Sequence, residues 1–141
     1  MSHTEYPIAI IDTRRHICAA LRYCLLPDFD VVYTALNAAD AASELPKICA
    51  GKFDDTPPKC PLGSNQDREL KDKRAPRIII FFPLISPEDV DVVLGKVLGE
   101  PDVEVQPLIL MEGDLEGCRE TDLAGLADVV RRVVRRTIPM E

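Results

Sequence analysis

Four polar residues lie where the first predicted strand meets the first predicted helix. Asp12, Thr13, Arg14 and Arg15 follow the apolar run at 8–11 and precede an apolar pattern with helical spacing. Two guanidinium groups and a hydroxyl at the start of a helix could bind a phosphate or a carboxylate. The alternative, which we favour, is that both arginines are solvated and pair with Asp12 or Asp40.

Two further polar residues are expected at the same edge of the molecule, because the carboxyl ends of parallel strands meet there. Asn37 follows the second predicted strand and Ser86 follows the third, and each begins a predicted helix. Helix capping explains Asn37 without any ligand, and Ser86 also fits the pattern of a cap. The predicted rim site, which could hold an anionic or nucleotide-like ligand, consists of Asp12, Thr13, Arg14, Arg15, Asn37 and Ser86.

The sequence assigns no catalytic residue and no metal ligand. It contains no G-x-S-x-G turn, and its two histidines are isolated from one another. Cys60 and Cys118 fall in predicted loops, where they could be exposed, but neither has a histidine nearby in sequence to activate it. Glu112 and Asp114 could form a hard-cation site with Asp12, but three scattered acids in a chain that has 24 do not indicate one.

Hydrophobic periodicity predicts four strands that alternate with four helices. The predicted strands cover 8–11, 31–36, 77–82 and part of 103–111, and the predicted helices cover 13–26, 38–45, 87–98 and 121–136. Pro46 could end or kink the second helix, and Pro107 makes the fourth strand an edge strand or a bulged one. Strict alternation predicts an α/β fold: a small three-layer, Rossmann-like domain with a short, mostly parallel sheet and helices on both faces.

The whole chain, 1–141, is the size of one domain. Its 51–76 segment is polar and rich in proline and has almost no apolar periodicity. We interpret this long loop as an insertion that is tolerated over the surface.

Composition and charge disfavour several classes of function. A net charge of −7 opposes binding to nucleic acid or to an anionic membrane through a basic surface. The longest apolar runs are far below the roughly 20 residues that span a bilayer, and the first residues, MSHTEYP, lack the pattern of a secretory signal. Five cysteines without a C-x-x-C pair favour reduced thiols and a cytoplasmic location.

The segment 8–21 resembles the opening of the Rossmann-type NAD(P)-binding domain, in the form carried by atypical short-chain dehydrogenases. Its apolar positions fit, but the three glycines of the family's G-x-x-G-x-x-G turn are replaced by Asp12, Arg15 and Cys18. The resemblance covers the first strand and helix and, more loosely, the second strand, and it implies a Rossmann-like fold. The chain is also similar to small fungal Rossmann-like proteins of unknown role. Without these glycines the backbone cannot approach a pyrophosphate closely, so no NAD(P) cofactor is expected.

The same segment also resembles the start of response-regulator receiver domains. Those domains need an acidic pair after the first strand, a phosphoacceptor aspartate at the end of the third strand and a lysine at the end of a fifth. Here Asp12 stands alone, the third predicted strand ends in Phe81-Phe82-Pro83, and no fifth strand is predicted. Phosphotransfer by that route is therefore excluded, whereas a receiver-like fold stays open.

We expect a non-catalytic Rossmann-like domain that acts by binding a protein partner or a second copy of itself. The apolar fourth strand could form a homodimer seam if it lies at the edge of the sheet. The alternative is a binder of a small anionic or nucleotide-like molecule at the rim, including a divergent NAD(P)-linked enzyme. The four arginines of the last helix are interpreted as a solvated face that could contact an acidic partner.

Overall fold

A computed structural model describes residues 6–54, 56–101, 103–118 and 122–137. The strands are β1 (Tyr6–Ile11), β2 (Phe29–Ala35), β3 (Ile78–Phe81) and β4 (Gln106–Ile109). The helices are α1 (Arg15–Cys24), α2 (Ala38–Cys49), α3 (Pro87–Leu98) and α4 (Leu123–Thr137). Short 3-10 helices occupy Ser64–Asp67, Leu70–Asp72 and Glu112–Leu115. The first five residues and Thr121, where the sequence places the start of the last helix, lie outside the described residues.

The four strands form one parallel sheet in the order β2-β1-β3-β4. This order matches the first four strands of the flavodoxin-type winding, and it places the topological switch point between β1 and β3. The fold is therefore a small α/β domain, as predicted, and it is compatible with a Rossmann-like fold in the broad sense. The prediction that the strand containing Pro107 lies at an edge is confirmed.

Each face of the sheet carries its own hydrophobic core, because side chains alternate along a strand. Ile8, Ile10 and Ile80 pack with α1 and α4 on one face. Ile11 and Phe81 pack with α2 and α3 on the other face. The central strands β1 and β3 are buried on both sides, which explains their nearly continuous apolar sequences.

Helix α2 continues through Pro46 to Cys49, beyond the predicted end at residue 45. A proline inside a helix removes one backbone hydrogen bond. Here its ring is buried, and Leu45 and Cys49 on either side of it belong to the core. Packing of this apolar face outweighs the local cost, a balance that backbone propensity alone does not capture.

Candidate functional site

Asp12 sits at the carboxyl end of β1 and is completely buried. Its N–H donates to the carbonyl of Ala35 at 3.1 Å, so the backbone continues the sheet pairing. Arg14 clamps the carboxylate: its Nη2 lies 2.8 Å from Oδ2, and its Nε lies 3.2 Å from both carboxylate oxygens. The favoured interpretation of Arg14 as the partner of Asp12 is thus confirmed.

The other predicted rim residues lie at the same edge of the sheet. The register pairs Ile11 with Ala35 on one side and with Phe81 on the other, so β1, β2 and β3 end level with one another. Thr13 and Arg15 are exposed, and α1 begins at Arg15 rather than at Thr13.

Asn37 and Ser86 act as helix caps at this rim. Asn37 Oδ1 accepts the N–H of Asp40 at 2.8 Å, and Ser86 Oγ accepts the N–H of Asp89 at 3.2 Å. These bonds satisfy backbone donors at the starts of α2 and α3. Four of the six rim residues, Asp12, Arg14, Asn37 and Ser86, therefore have polar atoms engaged within the protein. Ligand binding at the rim stays a prediction.

Two buried cysteines are poor nucleophiles. Burial, and secondarily the charge of Asp12, raises the pKa of the Cys18 thiol from 9.0 to about 12. Burial alone raises the pKa of Cys49 to about 12 as well. Since the thiolate is the reactive form, both side chains serve as packing groups at neutral pH.

The edge strand β2 carries a buried acid in the middle of an apolar sequence. The Asp30 side chain is only 5% exposed, and its Oδ2 lies 2.7 Å from Arg68 Nη2 and 2.9 Å from Arg74 Nη1. The Ser64 hydroxyl donates to its other oxygen. All three partners belong to the 51–76 loop, so this acid anchors the loop on β2.

The same loop packs directly against the β2 backbone. A Cβ placed on Gly63 would lie 2.3 Å from the carbonyl oxygen of Val32, so only glycine allows this approach. The Thr34 hydroxyl donates to the Cys60 carbonyl at 3.1 Å, and Cys60 is 2% exposed. The expectation that Cys60 could be exposed is wrong, and the loop is a docked element rather than a loose insertion.

The opposite edge, β4, is open. On its inner side, the N–H of Gln106 donates to the carbonyl of Arg77, just before β3, and the N–H of Leu110 donates to that of Phe81, both at 2.9 Å. Because N–H groups alternate in direction along a strand, Pro107, Ile109 and Met111 direct their backbone away from the sheet. Ile109 is 50% exposed and Met111 is 63% exposed.

Few backbone groups of this open edge are available for pairing. Pro107 has no N–H, and the N–H of Met111 donates to Asp114 Oδ2 at 2.8 Å. The Met111 carbonyl in turn accepts the N–H of Asp114 at 3.0 Å. Ile109 is therefore the residue of this edge whose N–H and C=O both remain outward.

Arg131 of the last helix has a structural role that the sequence interpretation missed. Its Nε donates to Asp28 Oδ2 at 2.8 Å, and its Nη2 donates to the carbonyl of Cys24 at the end of α1. A guanidinium in this position donates to a terminal carbonyl of α1, and its positive charge interacts favourably with the negative end of the helix dipole. The solvated-face interpretation is wrong for this residue, while Arg132, Arg135 and Arg136 are exposed.

No protein-family model, curated protein or solved structure matches this chain. Within the described residues, no group of three or more His, Cys, Asp or Glu side chains is placed to hold a metal ion. In the same residues, no helix combines the length and the apolar character needed to cross a membrane.

Proposed function

We propose that this chain is a non-catalytic α/β domain that acts by self-association, with the β4 edge as its seam. The observation that carries the proposal is that the outward N–H and C=O of Ile109 are both available, whereas Pro107 has no N–H and both Met111 groups are bonded to Asp114. The engaged polar atoms of the rim favour this function over the anion-binding alternative.

The available groups suit a two-fold pairing of β4 with β4 of a second copy. In an antiparallel pair, two directly opposed residues can exchange both of their N–H···O=C bonds. With Ile109 opposite Ile109 of the second copy, the pairing uses the residue of β4 whose outward N–H and C=O are both free. Such an interface is isologous, as in most homodimers.

Apolar side chains at this edge add to the pairing. Ile109 and Met111 are separated by two positions and so lie on the same face of the extended segment. Both are at least half exposed in the monomer. The short seam predicts a small interface and a dimer that depends strongly on protein concentration.

Sedimentation velocity over a range of concentrations tests this function. We expect wild-type protein to shift from monomer to dimer as its concentration rises. Ile109→Lys should stay monomeric, because a lysine on an edge strand places a charge in the seam. Leu98→Lys is the matched control: Leu98 is 55% exposed on α3, and its replacement should leave dimerisation unchanged.

Two outcomes would contradict the proposal. One is a wild-type protein that stays monomeric at the highest concentration. The other is an Ile109→Lys variant that dimerises as well as the wild type and the control. Circular dichroism of all three proteins serves as the control for correct folding.

A further inference from the structure

We infer that a cleft between α2 and the 51–76 loop is a binding site for a small organic anion: a flat apolar body that carries two or more negative charges. The cleft has a volume of about 460 Å³. That value lies within the range of about 300–1,000 Å³ that is typical of small-molecule sites. We call it the lysine cleft, after Lys47, Lys52, Lys59 and Lys73, which line it.

The lysine cleft is locally basic in a chain whose net charge is −7. Among the described residues that line it, the four lysines outnumber the two acids, Glu44 and Asp54. Within the described part of the chain, none of the four ammonium groups forms an ion pair, and only that of Lys73 has a protein partner, the Asp54 carbonyl at 3.3 Å. These cations are thus available to an anionic ligand.

The two acids of the cleft are engaged with protein donors. One oxygen of Glu44 accepts the Tyr33 hydroxyl, and the other accepts the N–H of Lys59 at 2.9 Å. Asp54 Oδ1 accepts the N–H of Thr56 at 2.9 Å. These donors are neutral, so both carboxylates keep their charge, and the four lysines and two acids named here leave a formal charge of +2.

Apolar side chains in the cleft indicate that the ligand also has an apolar part. Tyr33, Ile48, Phe53 and Pro58 line the same cleft. Flat rings and a branched aliphatic group favour an aromatic or other planar body, while the lysines around them favour phosphate or carboxylate groups. A nucleoside diphosphate combines both features and serves as the probe.

This site is separate from the predicted rim. The cleft lies against β2 and the part of α2 that follows Ser43, whereas the rim residues lie at the carboxyl ends of the strands. It is also at the opposite side of the sheet from β4. Ligand binding here and self-association at β4 can therefore be tested independently.

Calorimetric titration and amide chemical shifts with three probes test the inference. The probes are adenosine diphosphate, adenosine alone and inorganic pyrophosphate. We expect saturable binding of adenosine diphosphate with shifted amides in 47–54 and 56–59. The other two probes should bind more weakly, because adenosine lacks the negative charges and pyrophosphate lacks the planar ring.

Matched charge variants locate the site. Lys47→Gln/Lys52→Gln should weaken adenosine diphosphate binding by about tenfold, because two close cations are removed. Lys71→Gln/Lys96→Gln removes the same charge from exposed positions outside the cleft and should leave the affinity unchanged.

Three results would overturn the inference. They are no saturable binding of adenosine diphosphate, equal weakening in both double variants, and amide shifts that centre on Arg14 and Arg15 rather than on the cleft. The last result would instead support the rim site. These measurements report ligand binding and do not depend on dimerisation at β4. Failure of either proposal therefore does not decide the other.

Discussion

The two edge strands of the sheet, β2 and β4, are protected from further pairing in different ways. Every residue of β2 is buried, and the 51–76 loop docks on this strand through the ion pairs of Asp30 and the close approach of Gly63. Only Leu108 is buried in β4, and no comparable segment covers that edge in the described residues. Instead, Pro107 and the Asp114 contact to Met111 remove outward donors one by one.

The difference shows two solutions to the same physical problem. An unprotected edge strand can pair with any extended chain and aggregate. Covering an edge, as at β2, removes it from recognition altogether. Removing all but one donor, as at β4, leaves an edge that resists random pairing but still permits one defined pairing. This contrast makes β4 the edge that we propose as the functional one.

The largest expected effect comes from Gly63→Ala, which should disrupt the docking of the 51–76 loop on β2. The added Cβ would meet the backbone of Val32 and Tyr33 rather than a flexible side chain, so the loop must move. We expect a loss of roughly 3 kcal/mol in the free energy of unfolding. Urea unfolding measures the loss, and faster labelling of the Cys60 thiol reports the opened edge.

Gly95→Ala is the control for that experiment. Nothing lies within 4 Å of a Cβ at this exposed position in α3. Alanine should therefore stabilise the protein by up to about 1 kcal/mol through its better helix propensity. A Gly63→Ala variant as stable as the wild type would show that the loop is not docked tightly.

Asp30→Asn should have the next largest effect, about 2 kcal/mol of lost stability. The amide keeps the shape of the side chain but loses the charge that faces two arginines, and part of the penalty is screened because both arginines are partly exposed. Asp67→Asn is the control, since that carboxylate is 71% exposed and its ion pair with Arg22 contributes little. Similar unfolding curves for the two variants would contradict the anchoring role of Asp30.

The smallest expected effect concerns the other edge of the sheet, β4. Asp114→Ala frees the N–H of Met111, which lies opposite the Pro107 carbonyl of the second copy in the proposed pairing. We expect roughly tenfold tighter dimerisation, from two added hydrogen bonds, and a loss of about 1 kcal/mol of monomer stability. Sedimentation and urea unfolding measure the two quantities.

Asp122→Ala provides the matched control for Asp114→Ala. Asp122 also accepts a backbone N–H, that of Gly125 at 2.9 Å, but it lies at the start of α4. Its loss should lower stability by a similar amount and leave the dimer unchanged. Unchanged dimerisation of Asp114→Ala would argue against the proposed register.

The regular part of the fold could be predicted from sequence because it depends on local patterns. Periodic apolar residues predicted all four strands and all four helices, and the caps at Asn37 and Ser86 followed from residue type. The strand order and the docked loop could not be predicted, because they depend on contacts between distant segments.

Asp30 illustrates the missing information. A charged residue inside the apolar run FDVVY signals a buried acid that needs partners. Its partners, Ser64, Arg68 and Arg74, come from 34 to 44 positions later in the chain. Nothing in the local sequence of the loop distinguishes these residues from solvated ones, so its docking was not predicted.

The most direct test of the central claim is hydrogen exchange at the Ile109 amide, followed at several protein concentrations. If β4 pairs through Ile109 as proposed, this amide should exchange quickly in dilute protein and become protected as the dimer forms. The amides of Leu108 and Leu110, which both face β3, provide the internal reference. An Ile109 exchange rate that stays the same while the protein concentration rises would contradict the account.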